Sequence, residues 1–261
     1  MEMIDIDTDK RDFKLYLIGD LHIGNKSSAV SEIEKSFDHI SEQDNYYVVG
    51  MGDLIEAIIA NDRRFSLDQM SNEYRTIDEQ VFKVVDEFEK VQDGLIGLIK
   101  GNHEYKLKQH TDTDMNLQMC KHLDVMSLGF SSYIKFKNRE DEVDVILHHG
   151  YGGGRTTGSK INKIEDFAKS FQDIDLVGMG HHHILANPSP IVRLKRNGSD
   201  LNDVVTHLLY TGSFLKNYES GTVNYGERFG YRPLPIGFAE VEVKDMEIDN
   251  INLIYAENGG I

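Results

Sequence analysis

Five short apolar runs, each closed by glycine or histidine and by side chains able to bind a metal, constrain this chain more than any other feature. "FKLYLIGD" (13–20), "YYVVGMGD" (46–53) and "GLIGLIKGN" (94–102) have the length and composition of buried strands. "VDVILHHG" (143–150) and "IDLVGMGH" (174–181) continue the pattern. Asp20 and His22 follow the first run, Asp53 the second, Asn102 and His103 the third, His148 and His149 the fourth. The fifth leads into three consecutive histidines, His181, His182 and His183. Carboxyl ends of strands in α/β sheets share an edge, so residues far apart in sequence can meet there. On an extended backbone, Asp20 and His22 would face one point, as would His181 and His183, with His182 turned away.

Between the runs, Val30, Ile33, Phe37 and Ile40 mark one helix face, and Ile77, Val81, Val84, Phe88 and Val91 a longer one. Ile161, Ile164, Phe167 and Phe171 mark a third, before the fifth run. After residue 190 the chain reads as consecutive strands, "DVVTHLLYTGSF", "IGFAEVEV" and "INLIYAE", without convincing helices. With 261 residues and no linker-like stretch, one α/β domain over 1–261 with a β-rich C-terminal third is expected.

Composition narrows the chemistry. Cys120 is the only cysteine, which excludes an intrachain disulfide and a cysteine-rich zinc site. Carboxylate, imidazole and amide donors instead suit Mn, Fe, Zn and similar ions. No secretory leader or membrane-length apolar run is visible, so a soluble cytoplasmic protein without membrane contact is expected. The formal charge of −16 opposes broad binding to a phosphate backbone, and "RLKRNG" (193–198) is the only local basic cluster. Bound divalent cations would reverse that sign locally.

The ordered blocks "GDLHIG", "GMGD", "GNHE", "HHG" and "GHHH" resemble the calcineurin-like metallophosphoesterases over about the first 185 residues. The resemblance implies an α/β fold, a four-layer αββα sandwich of two mixed β-sheets flanked by helices. It implies two divalent metal ions, manganese first, with Fe, Zn, Ni or Mg as alternatives. One would be held by Asp20, His22, Asp53 and His183. The other would be held by Asp53, Asn102, His149 and His181, with Asp53 bridging cations about 3.5–4 Å apart. His148 is the alternative to His149. Hydrolysis would proceed by a metal-bound hydroxide attacking phosphorus in line. His103 would protonate the leaving oxygen, and Glu56, three residues after Asp53, would orient it.

"HGYGGGRTTGSK" follows the fourth run, but its Gly-Ser-Lys order is not that of a Walker loop. Gly153 and Gly154 could bring backbone amides to a substrate phosphate, with Arg155 binding it bidentately. "GDLIEA" lacks the arginine of the family's protein phosphatases, so a phosphodiesterase acting on nucleotides or nucleic-acid ends is expected first. A phosphomonoesterase on a small-molecule or protein substrate, and a non-catalytic metal-binding module, are the alternatives.

Overall fold

The computed structural model describes residues 1–59, 62, 65–139, 141–154, 156–197, 200–218 and 225–256. The chain opens with β1 (Glu2–Asp7) and β2 (Phe13–Ile18), then α1 (Val30–Ser41), β3 (Tyr46–Gly50), α2 (Ile77–Glu89) and β4 (Leu95–Leu98). Next come α3 (Asn102–Thr111), α4 (Met115–His122), β5 (Met126–Ser127), β6 (Ser131–Asn138) and β7 (Asp141–His148). Helix α5 (Thr157–Ala168) precedes β8 (Leu176–Met179), β9 (Leu185–Ala186), β10 (Ile191–Asn197) and β11 (Asp200–Thr211). The one-turn α6 (Tyr225–Arg228), β12 (Gly237–Lys244) and β13 (Glu247–Tyr255) complete the described elements.

These strands form two mixed sheets. One has the order β13-β12-β2-β3-β4-β5, with β2 to β5 parallel and β12 antiparallel to β2. The other runs β1-β6-β7-β8-β11-β10, with β9 also paired to β11. The alternation of side chains along β2 explains the layering. Phe13, Leu15 and Leu17 face the second sheet and pack with Ile134, Val145, Leu147, Leu176 and Leu209. Tyr16 and Ile18 face the other way, onto Ile33 and Phe37 of α1 and Val81, Val84 and Phe88 of α2. On the outside of the second sheet, Ile146, Val177, Leu208 and Tyr210 cover Ile164 and Ala168 of α5. Helices, two sheets and a further helix thus make the αββα sandwich expected from the sequence. Helix α2 starts at a reciprocal cap, in which Thr76 accepts from the Glu79 amide and Glu79 accepts from the Thr76 amide.

The five apolar runs are strands, but they divide between the sheets: β2, β3 and β4 lie in one, β7 and β8 in the other. The candidate ligands therefore gather where the ends of two stacked sheets meet, not along a single edge. Two features depart from the sequence expectation. The acidic N-terminal stretch forms β1, parallel to β6, because its Ile4 and Ile6 pack against the inter-sheet core. The C-terminal third contains the single turn α6 in addition to its strands. Among the described residues, no helix is long and apolar enough to cross a membrane.

Candidate metal centre and substrate cleft

Among the described residues, thirteen non-glycine residues have positive φ, and five of them are Asp20 (48°), His22 (51°), Asp53 (48°), His181 (65°) and His183 (53°). The extended backbone expected for these motifs is thus replaced by left-handed turns. Such conformations disfavour most side chains, though Asp and His tolerate them better than most, and they gather where the surrounding structure over-determines them. The turns still bring each pair to the centre, through a backbone that doubles back after each strand. Two glycines make room for this. A Cβ at Gly101 would lie 2.0 Å from the Asp53 nitrogen. At Gly52 (φ 86°) it would lie 2.7 Å from His149 Nδ1.

Three groups of side chains could each hold a cation: Asp20, His22 and His183; Asp53, His149 and His181; and His22, Glu56 and His103. In the first, His22 Nε2 and His183 Nε2 are 3.1 Å apart, and His183 Nε2 lies 3.2 Å from Asp20 Oδ1. Asp20 Oδ1 is buried without a hydrogen bond, while Oδ2 accepts from the His181 amide at 2.9 Å. In the second, His149 Nε2 is 3.3 Å from Asp53 Oδ2 and 3.2 Å from Asn102 Oδ1. Asn102 opens α3, and its amide oxygen faces other acceptors. Turned over, its nitrogen would lie 2.7 Å from His181 Nδ1 and 3.3 Å from Asp53 Oδ2. With the oxygen inward, this ring of lone pairs matches what a cation requires.

The outer nitrogens of the histidines fix which lone pair points inward. His149 Nδ1 donates to the Met51 carbonyl at 2.8 Å, and His181 Nε2 donates to the Gly152 carbonyl at 3.1 Å. His22 Nδ1 donates to Glu56 Oε2 at 2.9 Å. Carbonyl and carboxylate oxygens only accept, so in each ring one proton sits outside and the inner nitrogen is the one left for a cation, once His149 gives up its second proton. The buried donor set fits two divalent cations: His22, His183 and Asp20 for one, and His149, His181, Asp53 and Asn102 for the other.

Electrostatics agree with that fit. Burial opposes ionisation of Asp20 and Asp53, yet His183 beside Asp20 and His149 beside Asp53 outweigh it and hold both carboxyls below the usual range. Burial alone would lower the His149 imidazole, but Asp53 and Asp20 lift it to about 10. Its proton stands where a cation would replace it. Burial lowers His22 and His181 below the ordinary histidine value.

The structure places the remaining candidates as follows. His103 Nδ1 donates to the Glu56 backbone carbonyl at 2.5 Å, whereas the Glu56 carboxylate is 3.8 Å from His103 and holds His22 instead. His148 lies outside the three groups: its Nδ1 accepts from the Gly150 amide at 2.6 Å and its ring packs on Tyr151 and Phe167. Burial drops it to about 4. His182 is buried, packs on Tyr210 and lines the cleft. Gly153 and Gly154 line the cleft as well, and Arg155 lies outside the described residues.

Glu104, the last residue of "GNHE", has a role the sequence reading did not give it. Its carboxylate is fully buried and accepts from the amides of Asp53, Leu54, Ile55 and Gly101 at 2.7–3.2 Å. It thereby pins the turn bearing Asp53 to the start of α3. Burial and the nearby Asp53 charge push its own carboxyl upward. The cleft above the centre encloses about 340 Å³ and is also lined by Lys160, the lysine of the rejected Gly-Ser-Lys order, and by Lys216, Tyr231 and Arg232, which did not stand out in the sequence. Burial and the Arg232 guanidinium lower the Lys160 ammonium below its ordinary value.

No family model matches the sequence, and no curated protein matches it. Solved structures with a similar fold include a conserved uncharacterized protein, a predicted phosphoesterase, from Streptococcus pneumoniae. It is 12% identical with a TM-score of 0.41, over 95% of this chain and 91% of that one. GAP50, the anchor in the inner membrane complex of Plasmodium, is 12% identical with a TM-score of 0.49, over 96% and 86%. A 5′-nucleotidase precursor from Thermus thermophilus is 12% identical with a TM-score of 0.45, over 92% of this chain and 53% of its own length. This chain thus spans about half of that nucleotidase. Likenesses this distant, which include both phosphoesterases and an anchor, carry no argument for function. The site has to supply it.

Proposed function

We propose that the chain is a calcineurin-like metallophosphoesterase, a hydrolase that cleaves a phosphoester with two divalent metal ions. The observation that carries this reading is the set of inward-facing nitrogens of His22, His149 and His181, fixed by outer bonds to Glu56, Met51 and Gly152. A merely structural cluster of buried histidines has no need to gather these nitrogens beside the buried Asp20 and Asp53. When bound, the ions would acidify water and offset charge on the phosphoryl oxygens. The protein supplies the rest. Asp53 belongs with His149 and His181, its Oδ1 accepting from the His103 amide at 2.9 Å and its Oδ2 facing His149. His103 lines the cleft with its Nδ1 proton engaged by the Glu56 carbonyl; in its doubly protonated form it would give the leaving oxygen the proton on Nε2. The cleft walls restrict water at the reacting centre and admit a substrate of modest size.

Within that class we favour a phosphodiesterase acting on nucleotides or nucleic-acid ends, with manganese as the working metal. Support comes from "GDLIEA", which carries Glu56 but no arginine after the second motif. Turnover of bis-p-nitrophenyl phosphate against p-nitrophenyl phosphate, each with Mn²⁺, tests it. A diesterase has the higher kcat/KM on the bis-ester; the reverse order makes it a phosphomonoesterase. No turnover of either ester with any divalent metal returns the chain to a binding role.

A further inference from the structure

In a chain with 44 acidic and 28 basic residues, buried or half-buried lysines usually find carboxylates. Lys83 pairs with Glu34 and Glu87, and Lys100 with Asp114. Two cations lining the cleft do otherwise. Lys160 Nζ donates to the His182 carbonyl at 2.8 Å, and Arg232 Nη2 donates to Thr157 Oγ1 at 2.5 Å. Among the described residues, neither forms an ion pair with a carboxylate. Both bonds leave donors over, since an ammonium has three and a guanidinium five. Thr157 and Lys160 belong to the first turn of α5, a twelve-residue helix whose N-terminus favours negative charge. His182 lines the same cleft, and its buried Nε2 has no hydrogen-bond partner. Two cations with no carboxylate partner among the described residues, a helix start and an orphaned imidazole nitrogen in the lining of one cleft describe a place prepared for an anion.

Lys160 is tied to the main chain of His182, the residue between His181 and His183, so this anion place adjoins the metal centre without being part of it. Tyr231, beside Arg232, adds an aromatic ring to the lining, and Leu234 adds an apolar surface. We propose that Lys160 and Arg232 form a second phosphate subsite, which selects compact phosphoesters carrying a further phosphate group away from the bond that is cut. The inference rests on the phosphoesterase reading for where the first phosphate sits.

Calorimetric binding to the Mn²⁺-loaded protein compares thymidine 3′,5′-bisphosphate with thymidine 5′-monophosphate, which differ by one phosphate. The bisphosphate is expected to bind at least about tenfold more tightly, the gain ordinary for charge-assisted hydrogen bonds. Lys160→Met with Arg232→Met should abolish that advantage, and Arg232→Met alone, on an exposed position, should reduce it at least about threefold. Lys160→Arg should keep it. Equal binding of the two nucleotides by the native protein, or an advantage that survives the double substitution, overturns the subsite. Turnover of bis-p-nitrophenyl phosphate and of p-nitrophenyl phosphate is measured alongside. Absence of both, with the bisphosphate preference intact, refutes the phosphoesterase reading and leaves the subsite standing. Turnover without the preference does the reverse.

Discussion

The floor and the wall of the cleft are built on different principles. On the floor, Asp20, His22, Asp53, Glu104 and His149 are all buried, and their outward atoms are committed to neighbours while Asp20 Oδ1 is left without a hydrogen bond. Glu104 alone gathers four amides, and three histidines have their outer nitrogens tethered. The wall is half-exposed and comes from the Gly152–Gly154 stretch, the start of α5 and the segment around Arg232, where Lys160 and Arg232 bond to a carbonyl and a hydroxyl and to no carboxylate among the described residues. Rigid placement suits a centre that must hold two cations at fixed positions. An adaptable wall suits selection among substrates.

Substitutions can break this contrast. The largest effect belongs to the floor: Asp53→Asn should reduce metal content from two ions toward one or none, with activity falling on the order of 10⁴-fold. Retention of both ions would show that Asp53 does not bridge them. His103→Ala should keep the metals and lower kcat by about 10²–10⁴-fold on esters with poor leaving groups, and much less on nitrophenyl esters. Equal losses on both kinds of ester would deny it the proton transfer.

Glu56→Gln separates two roles for one side chain. Its carboxylate holds His22, and its backbone carbonyl holds His103. The substitution should therefore weaken metal binding by about 10–100-fold while altering kcat at saturating metal much less. A change confined to kcat would place the carboxylate's influence on His103 instead. Acidity gives a smaller, graded effect. In the metal-free protein His149 is lifted to about 10 from an ordinary 6.5, so its bond with Asp53 stabilises the fold fully below the ordinary value. That contribution fades as pH rises through the higher one. Entry of a cation displaces the same proton, so apparent Mn²⁺ affinity should rise about tenfold per pH unit across the neutral range. A pH-independent affinity would mean that His149 does not exchange a proton for metal. Smallest of all, His148→Ala should leave the metal content unchanged, since that ring bonds the Gly150 amide and packs on Tyr151 and Phe167. Loss of about one ion in that variant, but not in His149→Ala, would exchange their assignments.

The same contrast explains what could be read from the chain. Asp20, Asp53, Asn102 and His181 are legible because each follows an apolar run within a few residues, and strand ends in such folds converge. The layering is legible only through the family that the ordered motifs resemble, since β2 is buried on both faces and shows no alternation of apolar and polar residues. The left-handed turns at Asp20, His22, His181 and His183 are not, since a local pattern of alternation gives extended backbone, and the close approach of Gly150 to His181 and of Gly180 to Asp20 exists only in the folded chain. Glu104 was quoted in its motif, but its four amide partners come from residues both adjacent and some fifty positions away. Lys160 and Arg232 meet across 72 residues of sequence through a turn with no periodic signal, so the wall is visible only in three dimensions. Strand β1 escaped notice because its acidic residues mask the alternation of Ile4 and Ile6.

Elemental analysis after chelation and reconstitution with Mn²⁺ tests the central claim most directly. The account predicts about two ions per chain, falling to about one in Asn102→Ala, whose amide serves only the second group. A native protein that retains no stoichiometric metal under those conditions would contradict it.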